Sequence, residues 1–167
     1  MDPVTAPTTA QAARAGRTLL AGVLLGLGTV AFVDETVFHQ ILHWHHFYDR
    51  STSDVGLVSD GVFHAFSWFA TVAGLVLLVA ARRAGPIVAS RWWGALLVGA
   101  GAFQLYDGTV QHKLLGLHQI RYGVDVRPYD WIWNAIAVLL LIAGATALAA
   151  SRGRERAGVG AGAGARV

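Results

Sequence analysis

The sequence predicts an all-α fold: an integral membrane four-helix bundle built from two parallel-repeat helical hairpins. Three observations predict it. Of the 167 residues, 54% are hydrophobic and only 14% charged, where a soluble domain averages about 25% charge. The apolar residues gather into four stretches, each close to the roughly 20 helical residues that cross a bilayer core of about 30 Å. The second half of the chain also repeats the first in register.

The first stretch covers residues 19–42. Arginines precede it, as in a signal peptide. The third stretch (92–115) repeats its pattern in mid-chain, where no signal peptide sits, so the first reads as a retained helix. The second and fourth stretches cover 61–81 and 131–150. Residues 1–16 are small and polar, and 152–167 are rich in Gly, Ala and Arg; both have the composition of disordered tails. The membrane domain between them covers 17–151, with repeat 1 at 17–83 and repeat 2 at 90–152. Basic residues near the span ends set the orientation. The termini and the 82–91 loop carry nine arginines, against four Arg and Lys on the opposite side. Both termini are therefore expected in the cytoplasm, and every histidine falls toward the extracytoplasmic face of an inner membrane.

Residues 17–46 laid over 90–119 without a gap, at an offset of 73, share D-x-T-V-x-H-x-x-L-x-x-H. Asp34/Asp107, Thr36/Thr109, His39/His112 and His45/His118 coincide. The second and fourth stretches match at an offset of 70, with Asp60 over Asp130 and His64 over Asn134. Shared Leu, Ala and Gly carry little weight in apolar helices, but matched Asp, Thr and His do not follow from membrane composition. Two even-span hairpins keep the same direction, so the repeat is parallel. Gly22, Gly26 and Gly28, with Ala95, Gly99 and Gly101, give the first and third helices a small-residue seam for close approach.

The polar residues form a layer. Thr36, His39, His43 and His46 follow a 3–4 spacing on one helical stripe, with Glu35 beside it. Asp34 and Asp107 stand five residues before their histidines, about 140° round an α-helix, so a shared ligand sphere needs a kink. Asp60 and His64, four residues apart, are expected to meet on one helix face. Plainer readings stand beside this one. His43 and His46 read equally as interfacial histidines, the tryptophans as a membrane-interface belt, the threonines as bonded to their own helix, and Asp130 as a helix cap.

Intramembrane Asp, Glu and His are functional candidates because each costs several kcal/mol unless paired. There is no cysteine, and Met1 is the only methionine. Thiolate catalysis, disulfides and soft Cu(I) sites are thereby excluded, leaving nitrogen and oxygen donors for Cu, Fe or Zn. The candidate metal ligands are His39, His112, His45, His118, His64, Asp60 and His43. Asp34, Asp107 and Glu35 are the candidate proton-handling or orienting carboxylates. The pI of about 9.8 comes from arginines flanking apolar runs rather than from a patch interleaved with aromatics, so no nucleic acid is expected. A bis-histidine b-type haem on His39 and His112, a proton or ion conductor, and an assembly or scaffold subunit are the competing functions. The cytoplasmic halves "LLAGVLLGLG" and "ALLVGAGAF" hold no ionisable group, which counts against conduction.

The strings "DETVFHQILHWHH", "SDGVFHAFSW" and "YDGTVQHKLLGLHQIR" resemble an uncharacterised bacterial family of small four-span inner-membrane proteins, a domain of unknown function. The resemblance covers about residues 18–150. It implies a bilayer setting and an association with respiratory and metal-handling membrane proteins, but supplies no reaction.

Overall fold

The computed structural model describes the backbone of residues 8–164 and the side chains of residues 8–154. The outermost parts of both expected tails lie outside these described residues. Among them the chain is all-helical. α1 runs over Thr9–Asp34 and continues as a π-helical segment, π1, over Glu35–Ile41. α2 covers Ser53–Arg83. α3 covers Ala89–Tyr106 and continues as π2, Asp107–Leu115. α4 covers Arg127–Gly164.

Both end helices reach into stretches whose composition suggested tails. Residues 9–16 are helical because Thr8 and Gln11 form a reciprocal capping box: Thr8 Oγ1 accepts from Gln11 N, and Gln11 Oε1 accepts from Thr8 N at 2.9 Å. At the other end, α4 extends through residues 152–164. Arg152, Arg154, Glu155, Arg156 and Ala157 are good helix formers, and extending an existing helix through the glycines beyond them is far easier than starting one.

Three helical stretches are long and apolar enough to cross a membrane: Thr9–Ile41, Ser53–Arg83 and Arg127–Arg154. α3 is a fourth helix, 18 residues long before π2 begins. α1 packs between α2 and α3, α3 packs between α1 and α4, and α2 and α4 do not meet among the described residues. A helix covered on two sides needs small residues and tolerates a buried polar one such as Gln104, whose Nε2 donates to Trp133 O at 3.0 Å. At the α1–α3 crossing a Cβ on Gly26 would strike the carbonyl of Leu96, and one on Gly99 that of Val23. Glycine lets the two backbones touch. The outer faces are apolar instead: α2 exposes Val58, Val62, Phe66 and Phe69, and α4 exposes Ile132, Leu139 and Ile142.

The ends of π1 and π2 and the starts of α2 and α4 lie at one end of the molecule. The connections 42–52 and 116–126 cover that end, tied together where Asp49 N donates to Leu117 O at 3.0 Å. Beneath them Ala31, Phe63 and Phe103 form a dry core, with Leu27, Val30 and Phe47 packed against it.

Candidate metal centre

The site begins with the two π segments. In an α-helix residues five apart diverge, whereas an i→i+5 ladder brings residue 39 under residue 34. His39 Nε2 lies 3.9 Å from Asp34 Oδ2, and His112 Nε2 lies 3.1 Å from Asp107 Oδ2. The kink that the Asp-x4-His spacing demanded is thus a change of helix type. Gln40 uses the same pitch: its Nε2 donates to Glu35 Oε1 at 2.8 Å.

The connections supply the remaining imidazoles. His45 Nδ1 donates to Ile120 O, and His118 Nδ1 donates to Phe47 O, both at 2.9 Å. A carbonyl only accepts, so each ring carries its proton on Nδ1 and leaves a lone pair on Nε2. Both Nε2 atoms are buried and without a hydrogen-bond partner, as is His39 Nε2. Burial, then the neighbouring His39, His118 and His112, holds the pKa of His45 far below the ordinary histidine value, so the ring stays neutral.

The four rings form one chain of contacts that bends sharply at His45 and at His118. His39 and His45 lie 4.4 Å apart between centroids, His45 and His118 stack at 4.6 Å with planes 5° apart, and His112 and His118 lie 4.7 Å apart. Three groups bring ligand atoms within reach of one ion: Asp34, His39 and His45; Asp107, His112 and His118; and Glu35, His39 and Asp60.

Asp60 acts as a clamp. Its carboxylate accepts from His39 Nδ1 at 3.0 Å, His46 Nδ1 at 2.6 Å and Phe47 N at 2.7 Å. Glu35 Oε2 stands 3.1 Å from the same His39 nitrogen. Asp34, Glu35, Asp60 and Asp107 are all buried, and among the described residues none of them pairs with a lysine or arginine. In the second half Asp130 differs from Asp60: it meets Lys113 Nζ at 2.6 Å.

Two expected ligands are not brought in. His64 is exposed on α2, its ring 5.2 Å from Phe32, because Asp60 turns inward to the connection rather than along its own helix. His43 is exposed with φ +49°, since the helical ladder ends at Ile41 and the 3–4 stripe ends with it. Gly116 has the same left-handed backbone at φ +56° in the second half. Position 43 is therefore a chain-reversal position, and histidine is among the side chains that tolerate it.

Sequence reasoning missed His46 as the partner of Asp60, and the carbonyls of Phe47 and Ile120 as ring anchors. The first has a signal in its closeness to Asp49, whose Oδ2 accepts from His46 N at 3.0 Å and so folds the connection back. Backbone anchors leave none. Trp44 is no simple belt residue either: it packs on Phe38 and Tyr129 beneath the Arg121 guanidinium, 4.7 Å from its ring centroid. Outside His45 and His46 a cavity of about 350 Å³ opens, walled also by His43, Trp44, Asp49 and Tyr122.

Residues 21–151 match the family described as "Predicted membrane protein (DUF2243)". The chain belongs to that family. No curated protein and no solved structure matches the chain. The family description agrees with the apolar helices and carries no reaction, so the chemistry has to be argued from the side chains.

Proposed function

We propose that the chain is a membrane metalloprotein that holds a transition metal, Cu, Fe or Zn, in the buried Asp/His cluster, for metal handling or metal-dependent redox chemistry. One observation carries the reading. His39, His45 and His118 present buried Nε2 atoms with no hydrogen-bond partner, beside four buried carboxylates with no lysine or arginine among the described residues. An unsatisfied buried polar atom costs about 1–3 kcal/mol, and a buried carboxylate costs several more unless a positive charge faces it. A bound cation offsets both costs at once. Two imidazoles and one carboxylate, without sulfur, suit Fe(II), Cu(II) or Zn. Such an ion supplies Lewis-acid or redox chemistry there. The chain's own part is to hold Nε2 lone pairs bare through Ile120 O, Phe47 O and Asp60, and to keep the site dry with Phe63 and Phe103.

The architecture proposed with it is a duplicated hairpin forming a four-span bundle, α3 with π2 being the fourth crossing. The paired contacts support this. The His45–Ile120 and Phe47–His118 bonds exchange partners at the offset of 73. Gly28 faces Ser67 and Thr71 while Gly101 faces Ala137 and Leu141, which obeys the offsets of 73 and 70. Arginines at the far end support cytoplasmic termini and a cluster near the extracytoplasmic face.

The rival readings fare worse. His39 packs edge-on against His45 and His112 edge-on against His118, an arrangement that counts against the pair facing each other across a haem. A conducting path meets the Ala31, Phe63 and Phe103 core immediately below the cluster. A subunit or assembly role beside respiratory or metal-handling proteins adds to the metal reading rather than replacing it. Metal analysis of the purified protein tests the reading. The native chain is expected to retain transition metal, and the His39→Ala/His112→Ala variant to lose it while still inserted. A metal-free native protein that also refuses added metal contradicts it, and a Soret band replaces it with haem.

A further inference from the structure

We infer that the cluster is built for two transition-metal ions, one held by Asp34, His39 and His45 and the other by Asp107, His112 and His118. The inference rests on the metal reading above and adds number and assignment to it.

The stacked pair decides against a single shared ion. His45 and His118 lie face to face, 4.6 Å apart and 5° from parallel. An imidazole lone pair lies in its ring plane, so those of two parallel, stacked rings run side by side and never converge. A metal sits about 2.0–2.1 Å from each ligating nitrogen along that lone pair. One ion therefore cannot take Nε2 from both rings. Each ring has its own partners instead. His45 neighbours His39, which lies over Asp34. His118 neighbours His112, and Asp107 faces both, at 3.1 Å from His112 Nε2 and 3.6 Å from His118 Nε2. Distances between the two sets are longer: His39 to His118 is 6.1 Å and His45 to His112 is 6.2 Å.

The donor count gives an independent argument. Asp34, Glu35, Asp60 and Asp107 are at most 3% exposed, and His45 and His118 are held with bare Nε2 atoms by their carbonyl anchors. A single ion on two imidazoles and one carboxylate would leave most of these buried donors unused, whereas two ions employ one Asp/His/His set each. The extra pair, Glu35 and Asp60, belongs to the first triad. In the second half Gly108 stands where Glu35 stands, and a Cβ there would meet Trp133 and Asn134 at 2.6 and 2.8 Å. The two positions are therefore unequal, and the first triad fills first.

Titration of the chelator-stripped full-length chain in detergent with Co(II) tests this, followed by visible absorption and metal analysis. Two equivalents are expected in the native protein, bound in two steps, and one equivalent in either His39→Ala or His112→Ala. Asp34→Asn and Asp107→Asn repeat the test with less change of shape. Helical circular dichroism and a monodisperse elution select the variants that count. One equivalent in the native protein, abolished by either histidine variant, overturns the two-ion inference and leaves the metal reading standing. Two equivalents untouched by any of these variants also overturns it. No binding in the native protein removes both.

Discussion

Asp60 holds three donors from two chain segments on one buried carboxylate, which makes it the residue through which the connection, α2 and His39 are aligned. A carboxylate on the far nitrogen of a ligating histidine fixes its tautomer, and its loss typically costs about 10–100-fold in metal affinity. Asp60→Asn is therefore expected to weaken the first-filling metal by about that factor, read by competition with a coloured chelator, and to leave the second unchanged. His43 makes the opposite prediction. Its left-handed backbone costs roughly 1–2 kcal/mol in a residue with a Cβ, while glycine brings back some of that as chain entropy, about 0.5–1 kcal/mol. His43→Gly should raise the thermal midpoint of the detergent-solubilised protein slightly without changing its metal content; a fall in metal content would make His43 a ligand after all. Its exposure and left-handed backbone were not readable from the 3–4 stripe, because a stripe carries no mark of where the helix under it stops.

At the scale of the elements, α1 and α3 do two jobs in sequence along their length. Their first parts cross at glycines, and their last turns widen into π-helix to carry the acids and imidazoles. A π turn holds one residue more than an α turn, which is what brings residues five apart together. Inserting one alanine after Val37 sets Asp34 and His39 six residues apart, about 120° from each other round a helix of α pitch. We expect that insertion to abolish binding at the first triad while the second survives, and an insertion after Val110 to do the reverse; metal stoichiometry reads both. The crossing answers to bulk instead. Gly26→Val sets a branched side chain against the Leu96 carbonyl, and overpacking of this kind typically costs about 1–3 kcal/mol. A lowered thermal midpoint measures it. The crossing was legible in the Gly and Ala spacing alone. The helix type was legible only as a conflict, in acids and histidines spaced five apart where an α-helix would have separated them.

Across the whole molecule, the all-helical class and the membrane setting were legible in composition and run length, because a bilayer demands both. α1 and α3 are each covered by helices on two sides, and both carry the small residues that such a position needs. The extents of the end helices were hidden: the Thr8–Gln11 cap is two residues in a polar stretch, and the Gly/Ala/Arg run after residue 150 has a tail's composition. Orientation is open to a simple experiment because the chain has no cysteine. A thiol at Ser51→Cys should react with a membrane-impermeant maleimide in right-side-out vesicles, and one at Ala84→Cys only after the vesicles are opened. The reverse pattern would turn the molecule over and put the cluster on the cytoplasmic side. The central claim, that bare imidazoles and carboxylates free of lysine and arginine at this end of the molecule hold metal, is tested most directly by X-ray absorption at the metal edge of the loaded protein. The account predicts nitrogen and oxygen neighbours at roughly 2.0–2.2 Å, with the outer-shell scattering of about two imidazoles per ion and no sulfur. A spectrum of oxygen neighbours alone, without imidazole scattering, would contradict it.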